Sequence, residues 1–114
     1  MQEATLKILQ DWELFCIQLV DFCQKVPKRY RFTFVIRLEG SALEIYSHLI
    51  TAKYHSGHRR KTALRQADEK LCFVRVLLRL LLVKQVISHS LFERFSESLN
   101  EIGYQLGGWL KMQT

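Results

Sequence analysis

Apolar residues recur along this chain every three or four positions, the spacing that gathers them on one face of an α-helix. Between Ala4 and Lys25 the set is Leu9, Trp12, Phe15, Cys16, Leu19, Phe22 and Cys23, which predicts a first helix stopped by Pro27. Proline suits the first turn of a helix, where its missing N–H has no intrahelical partner. A second helix is therefore expected from about Pro27 or Lys28 to Tyr54. Its apolar positions are Phe32, Val35, Ile36, Ala42, Leu43, Tyr46, Leu49 and Ile50, and His55-Ser56-Gly57-His58 marks the turn that follows.

A third segment, about Arg60 to Val86, carries Leu64, Ala67, Leu71, Val74, Leu78 and Leu81 in alternating steps of three and four. That is the seam of a helix lying nearly parallel to its neighbours. Cys72, Phe73, Val76, Leu77, Leu80 and Leu82 add apolar surface off the seam, more than one neighbouring helix pair covers. This predicts a helix that is central or at a subunit interface, with Phe73, Val76, Leu77 and Leu80 as the interface residues. Ser90-x-x-Glu93 reads as a capping box opening a fourth helix, with Ser88 as the other candidate cap. Phe92, Phe95, Leu99, Ile102, Leu106 and Trp109 continue it in the same steps, and Gly103-x-x-x-Gly107 offers a strip for close helix packing. Four such helices joined by short turns make an all-α, antiparallel up-down-up-down four-helix bundle, one domain over residues 1–114.

Composition supports this picture. A single proline and five glycines in 114 residues argue against collagen-like and many-turned β architectures. The longest apolar run, Val76 to Val83, is interrupted by Arg79 and falls far short of the roughly 20 residues a membrane span needs. The start Met1-Gln2-Glu3-Ala4 lacks the basic opening of a secretory signal, so a cytoplasmic protein is expected. Cys16, Cys23 and Cys72 are odd in number and show no Cys-x-x-Cys spacing, which suggests neither a disulfide framework nor a zinc site. On one helix Cys16 and Cys23 stand about 10 Å apart along the axis, too far to bridge.

Charge is the uneven property. Residues 1–24 carry one basic and four acidic residues, −3; residues 25–84 carry fourteen against four, +10; the remainder sums to −1. A strongly basic middle between acidic ends is the electrostatic footprint of a protein that meets polyanions. The basic residues are also arranged. Lys25, Lys28, Arg29 and Arg31 crowd the first turn and interleave with Tyr30 and Phe32, while Arg59, Arg60 and Lys61 crowd the second, at the opposite end of an up-down bundle. Lys61, Arg65, Arg75 and Arg79 run between those ends along the third helix. Arg75 and Arg79 stand in the most apolar part of the chain, so they either reach water, pair with Glu39, Glu44, Glu97 or Glu101 from neighbouring helices, or line an assembly surface. Phosphate contacts from basic side chains on helices supply charge without reading bases.

No catalytic constellation is visible. His55-x-x-His58 lies in a turn with no nearby carboxylate or cysteine, His48 and His89 are isolated, and no Gly-rich phosphate loop opens a helix. Neither an enzyme nor a cofactor is expected.

Several segments together resemble a known family. They are Pro27-Lys28-x-x-Arg31-Phe32-Thr33, Arg37-Leu38-Glu39, Ala42-Leu43-Glu44-Ile45, Leu77-Leu78-Arg79-Leu80, Glu101-Ile102-Gly103 and the closing Leu106-Gly107-Gly108-Trp109-Leu110-Lys111. This pattern resembles the small four-helix-bundle family that includes the accessory variability determinant of diversity-generating retroelements. Proteins encoded in intervening sequences of bacterial 23S ribosomal RNA genes are its relatives. The resemblance spans about Leu9 to Lys111 and implies a barrel-like homopentamer that associates with a reverse transcriptase and with RNA or cDNA through a basic surface. Arg37, Arg75 and Arg79 match that surface, whereas Tyr104 stands where a basic residue is expected. The intervening-sequence relatives keep a second reading open, a self-assembling scaffold with no nucleic-acid role.

Overall fold

The computed structural model describes residues 2–113, with side chains from Thr5 onward, and forms four helices. These are α1 (Gln2–Gln24), α2 (Ile36–Tyr54), α3 (Gly57–Val83) and α4 (His89–Lys111). α1 packs against α2 and α4, and α3 against the same two, so α1 and α3 stand diagonally across the bundle. The body measures 43 × 24 × 19 Å. Its long dimension follows from the 27 residues of α3, each rising about 1.5 Å.

The expected seams build the core. Leu64, Ala67, Leu71, Val74, Leu78 and Leu81 of α3 are all buried, as are Phe95, Leu99, Ile102, Leu106 and Trp109 of α4. From α1, Trp12 stacks on Phe15 at 5.0 Å between ring centroids, and Phe15 and Phe22 meet Phe95 edge-on at 5.3 and 6.0 Å. Burying the Trp12 indole requires a partner for its N–H, and Nε1 donates to the Ala42 carbonyl at 2.9 Å, tying α1 to α2.

The second segment departs most from its periodicity. The chain is helical from Lys28, but first as a 3₁₀ turn over Lys28–Tyr30 and then as a π turn over Arg31–Val35, before α2 begins. The wider π turn shifts the register. Phe34, Leu38, Ala42, Ile45, Leu49 and Ala52 are therefore buried, while Phe32, Ile36, Leu43 and Ile50, expected inside, point outward.

The third helix starts and ends about three residues earlier than its apolar pattern suggests. Gly57 takes a positive φ of 61° at its start, which leaves only His55 and Ser56 between the helices. At its other end Val86 N–H bonds to Leu81 O and Gln85 N–H to Leu82 O, with Gln85 left-handed at φ 61°. This Schellman closure satisfies the last carbonyls and ends α3 at Val83. Ser88, not Ser90, caps α4: its hydroxyl accepts the Leu91 N–H at 3.1 Å. Cap position follows from where α3 closes, which the Ser90-x-x-Glu93 spacing does not encode.

Leu77 is corrected as an interface residue. It is only 5% exposed and belongs to the core, whereas Phe73, Val76 and Leu80 do face outward.

Candidate nucleic-acid interface

The π and 3₁₀ turns push the connection between α1 and α2 beyond the end of the bundle, and basic side chains crowd there. Lys25, Lys28, Arg29 and Arg31 are all exposed, and the Schellman closure of α3 brings Lys84 to the same end. The Tyr30 phenol is held below its usual pKa, first by hydrogen bonding to Arg29 and then by the charges of Arg29 and Lys84. The Arg29 guanidinium lies 4.9 Å above the Tyr30 ring, and Tyr30 leans on Phe34 at 5.9 Å. Phe32 is 77% exposed beside them. No described carboxylate forms an ion pair with Lys25, Lys28, Arg29, Arg31 or Lys84. The result is five cations around one half-buried and one open aromatic ring. Arg37, exposed one residue into α2, extends the patch up the side.

Lys84 completes this end and is absent from the residues singled out in the sequence. The signal lies in topology: in an up-down bundle the end of the third helix shares its level with the first turn.

The remaining basic residues divide. Arg59, Arg60 and Lys61 collect at the opposite end as expected, but the Arg60 guanidinium is engaged within the fold. Its Nε donates to Ala52 O at 2.7 Å, its Nη2 to Lys53 O at 3.5 Å, and it lies 5.7 Å from the Trp109 ring. A cation on the last carbonyls of α2 suits the negative end of that helix. Beside it, His55 Nδ1 donates to Thr51 O at 2.8 Å. Among the described residues no three His, Cys, Asp or Glu side chains stand together as a metal site would need.

On α3, Arg65 and Arg79 are exposed, but Arg75 turns aside towards α4. Its Nη1 donates to Asn100 Oδ1 at 2.8 Å and its Nη2 to Leu99 O at 2.9 Å. Gly103 makes room for it, since a Cβ there would stand 3.0 Å from Arg75 Nη2. Of the Gly103-x-x-x-Gly107 pair, only Gly103 is approached closely, and by a guanidinium with Leu71 behind it. Neither Arg60 nor Arg75 pairs with a carboxylate. Ion pairs among the described residues include Lys70–Glu44 at 3.2 Å and Lys7 with Asp11 and Glu101 at 2.7 and 3.8 Å.

These features define an all-helical four-helix-bundle protein with a cationic end and no helix long and apolar enough to cross a membrane among the described residues. The profile of the bAvd-like family matches residues 6–113, and the chain belongs to that family. A comparison with curated proteins finds no match. Among solved structures, the chain is similar to a protein of unknown function from the S23 ribosomal protein family of Bacteroides thetaiotaomicron, with a TM-score of 0.86 at 15% identity. That match covers 95% of this chain and 98% of the other, and it establishes the shared fold.

Proposed function

We propose that this protein is a non-catalytic accessory subunit of a diversity-generating retroelement, holding template RNA or cDNA against a reverse transcriptase. The observation that carries the reading is the cationic end, five basic side chains with no internal ion pair around an exposed aromatic ring, in a member of the bAvd-like family. Unpaired cations keep their full attraction for phosphates, and Phe32 offers a base a face to stack on. The outward apolar side chains of α1, α2 and α3 support the family's self-assembled form, a homopentamer, in which several cationic ends act together.

The test is fluorescence anisotropy of a labelled single-stranded RNA across a salt series. Five phosphate contacts give a log–log salt slope of about −3.5 for a single strand. In the variant carrying Lys28→Glu, Arg29→Glu and Arg31→Glu the slope should fall to about −1.4 or less, and capture of the reverse transcriptase should weaken with it. Undiminished RNA binding by that variant, with helicity intact, refutes the assignment. Absence of RNA binding by the unsubstituted chain would favour the scaffold reading, which shares the apolar faces and leaves the cationic end without a task.

A further inference from the structure

At the end of the bundle opposite the cationic tip, α2 and α3 frame a cleft of about 480 Å³ beside the His55–Ser56 turn. Ser47, His48 and Thr51 of α2 form one wall, and His58, Arg59 and Thr62 of α3 form the other. Among the described residues no carboxylate lines it. Arg59 takes part in no ion pair and His48 in no hydrogen bond within the described chain, while His58 rests against Thr62, Nε2 to Oγ1 at 3.4 Å. The charged and titratable groups nearby are engaged elsewhere or stand outside the lining. Glu44, one turn before His48, reaches Lys70 at 3.2 Å, and Lys53 lies 5.1 Å over the Tyr54 ring. His55 is held on the Thr51 carbonyl and Arg60 on the carbonyls of Ala52 and Lys53. Lys61, Arg65, Asp68 and Glu69 of α3 are not part of the walls.

We infer that this cleft binds a phosphate monoester. The donor set carries the inference. A guanidinium, two imidazoles and three hydroxyls stand on two facing walls, and a tetrahedral group with three terminal oxygens accepts from both walls at once. A carboxylate presents only two oxygens, in one plane. Charge points the same way. Arg59 stays protonated at every working pH and repels a cation, and among the described residues no third ligand joins the two imidazoles, so a metal is not the occupant. A monoester carries close to two negative charges near neutrality. The first turn of α3, which supplies His58 and Arg59, has no acidic residue and no side-chain cap from Ser56 to answer its positive end. Imidazole is the side chain that changes charge between about pH 5 and 8, so the site should loosen as pH rises and the imidazolium is lost. The phosphate is either free or the 5′ end of a nucleic acid. This site lies apart from Lys28, Arg29 and Arg31, and the inference does not rest on the role proposed for them.

Proton NMR of the histidine rings tests this with three probes: inorganic phosphate, and a tetranucleotide bearing either a 5′-phosphate or a 5′-hydroxyl. Inorganic phosphate and the phosphorylated tetranucleotide should shift the His48 and His58 signals saturably at millimolar concentration, with tighter binding at pH 6 than at pH 8. The 5′-hydroxyl form should shift neither ring. Arg59→Gln should weaken the binding by about tenfold, through loss of a hydrogen bond to a charged group. In the double variant His48→Gln, His58→Gln the residual affinity, read by calorimetry, should lose its preference for pH 6. The variant carrying Lys28→Glu, Arg29→Glu and Arg31→Glu should bind inorganic phosphate unchanged, so that this site and the cationic tip stand or fail separately. Tighter binding of the phosphorylated tetranucleotide than of inorganic phosphate assigns the site to chain ends, and equal or weaker binding assigns it to the free ion. Equal shifts from the 5′-hydroxyl form, no saturation with either phosphate, or binding that survives Arg59→Gln but not the tip variant overturns the site.

Discussion

Arg75 separates a structural from a functional role for a basic residue, because its position among basic neighbours suggests one and its contacts the other. In Arg75→Met the apolar stem remains while the guanidinium is lost, together with its bonds to Asn100 Oδ1 and Leu99 O. Hydrogen bonds to a charged group contribute about 1.5–3 kcal/mol each when shielded. The Asn100 bond is exposed and weaker, so the expected loss is about 1–2 kcal/mol in total. For a chain of this size that lowers Tm by about 4–10 °C, read by circular dichroism or urea titration. RNA affinity of the folded protein should stay within about twofold of the original. Gly103→Ala supplies a second arm. Its Cβ would arrive 3.0 Å from Arg75 Nη2, so alanine should cost stability beside arginine. In the Arg75→Met background it should be neutral or stabilising by up to about 1 kcal/mol, through helix propensity alone. The two substitutions should therefore couple in a double-mutant cycle. If Arg75→Met abolishes RNA binding without moving Tm, or if the cycle is additive, the contact with α4 is not what Arg75 is for.

Two further outcomes follow from local geometry. Ser88→Ala should lose about 1 kcal/mol in urea unfolding, because the Leu91 N–H loses its acceptor, while Ser90→Ala should stay within about 0.5 kcal/mol. Burial pushes the Cys16 and Cys23 thiols up to about 11 and about 12. At pH 8 their thiolate fractions are then about a thousandth and a ten-thousandth, so only exposed Cys72 should react quickly with an aromatic disulfide in the dissociated protein. Rapid release of two or three equivalents before unfolding would contradict that burial.

What the sequence revealed depended on how one-sided each helix is. α4 is apolar on a single face, and every buried position in it lies on the pattern Phe95, Leu99, Ile102, Leu106, Trp109. The seam of α3 was equally legible because its leucines keep strict spacing even with extra apolar residues around them. α2 was not, since Ile36, Leu43 and Ile50 form a second apolar strip and the π turn displaces the register by an amount that no side chain announces. At the candidate interface the cluster between α1 and α2 was visible as a charge run. The withdrawal of Arg60 and Arg75 was not, because their acceptors are backbone carbonyls and an amide, groups that leave no complementary charge in the sequence. Lys84 was hidden for the opposite reason: it is remote in sequence and joins the patch only through the antiparallel topology.

The pairing of the first helix with the last has a practical consequence for handling the molecule. Thr5 and Met112 line one groove, so the chain enters and leaves the bundle side by side, at the end far from Lys28, Arg29 and Arg31. A tether at either terminus therefore holds the protein with its cationic tip pointing away from the support. A sensor surface loaded through a terminal tag would present that tip to a passing nucleic acid. An internal linker from Met112 to Thr5 would allow the chain to be reopened at the His55–Ser56 turn, with all four helices kept in their present places.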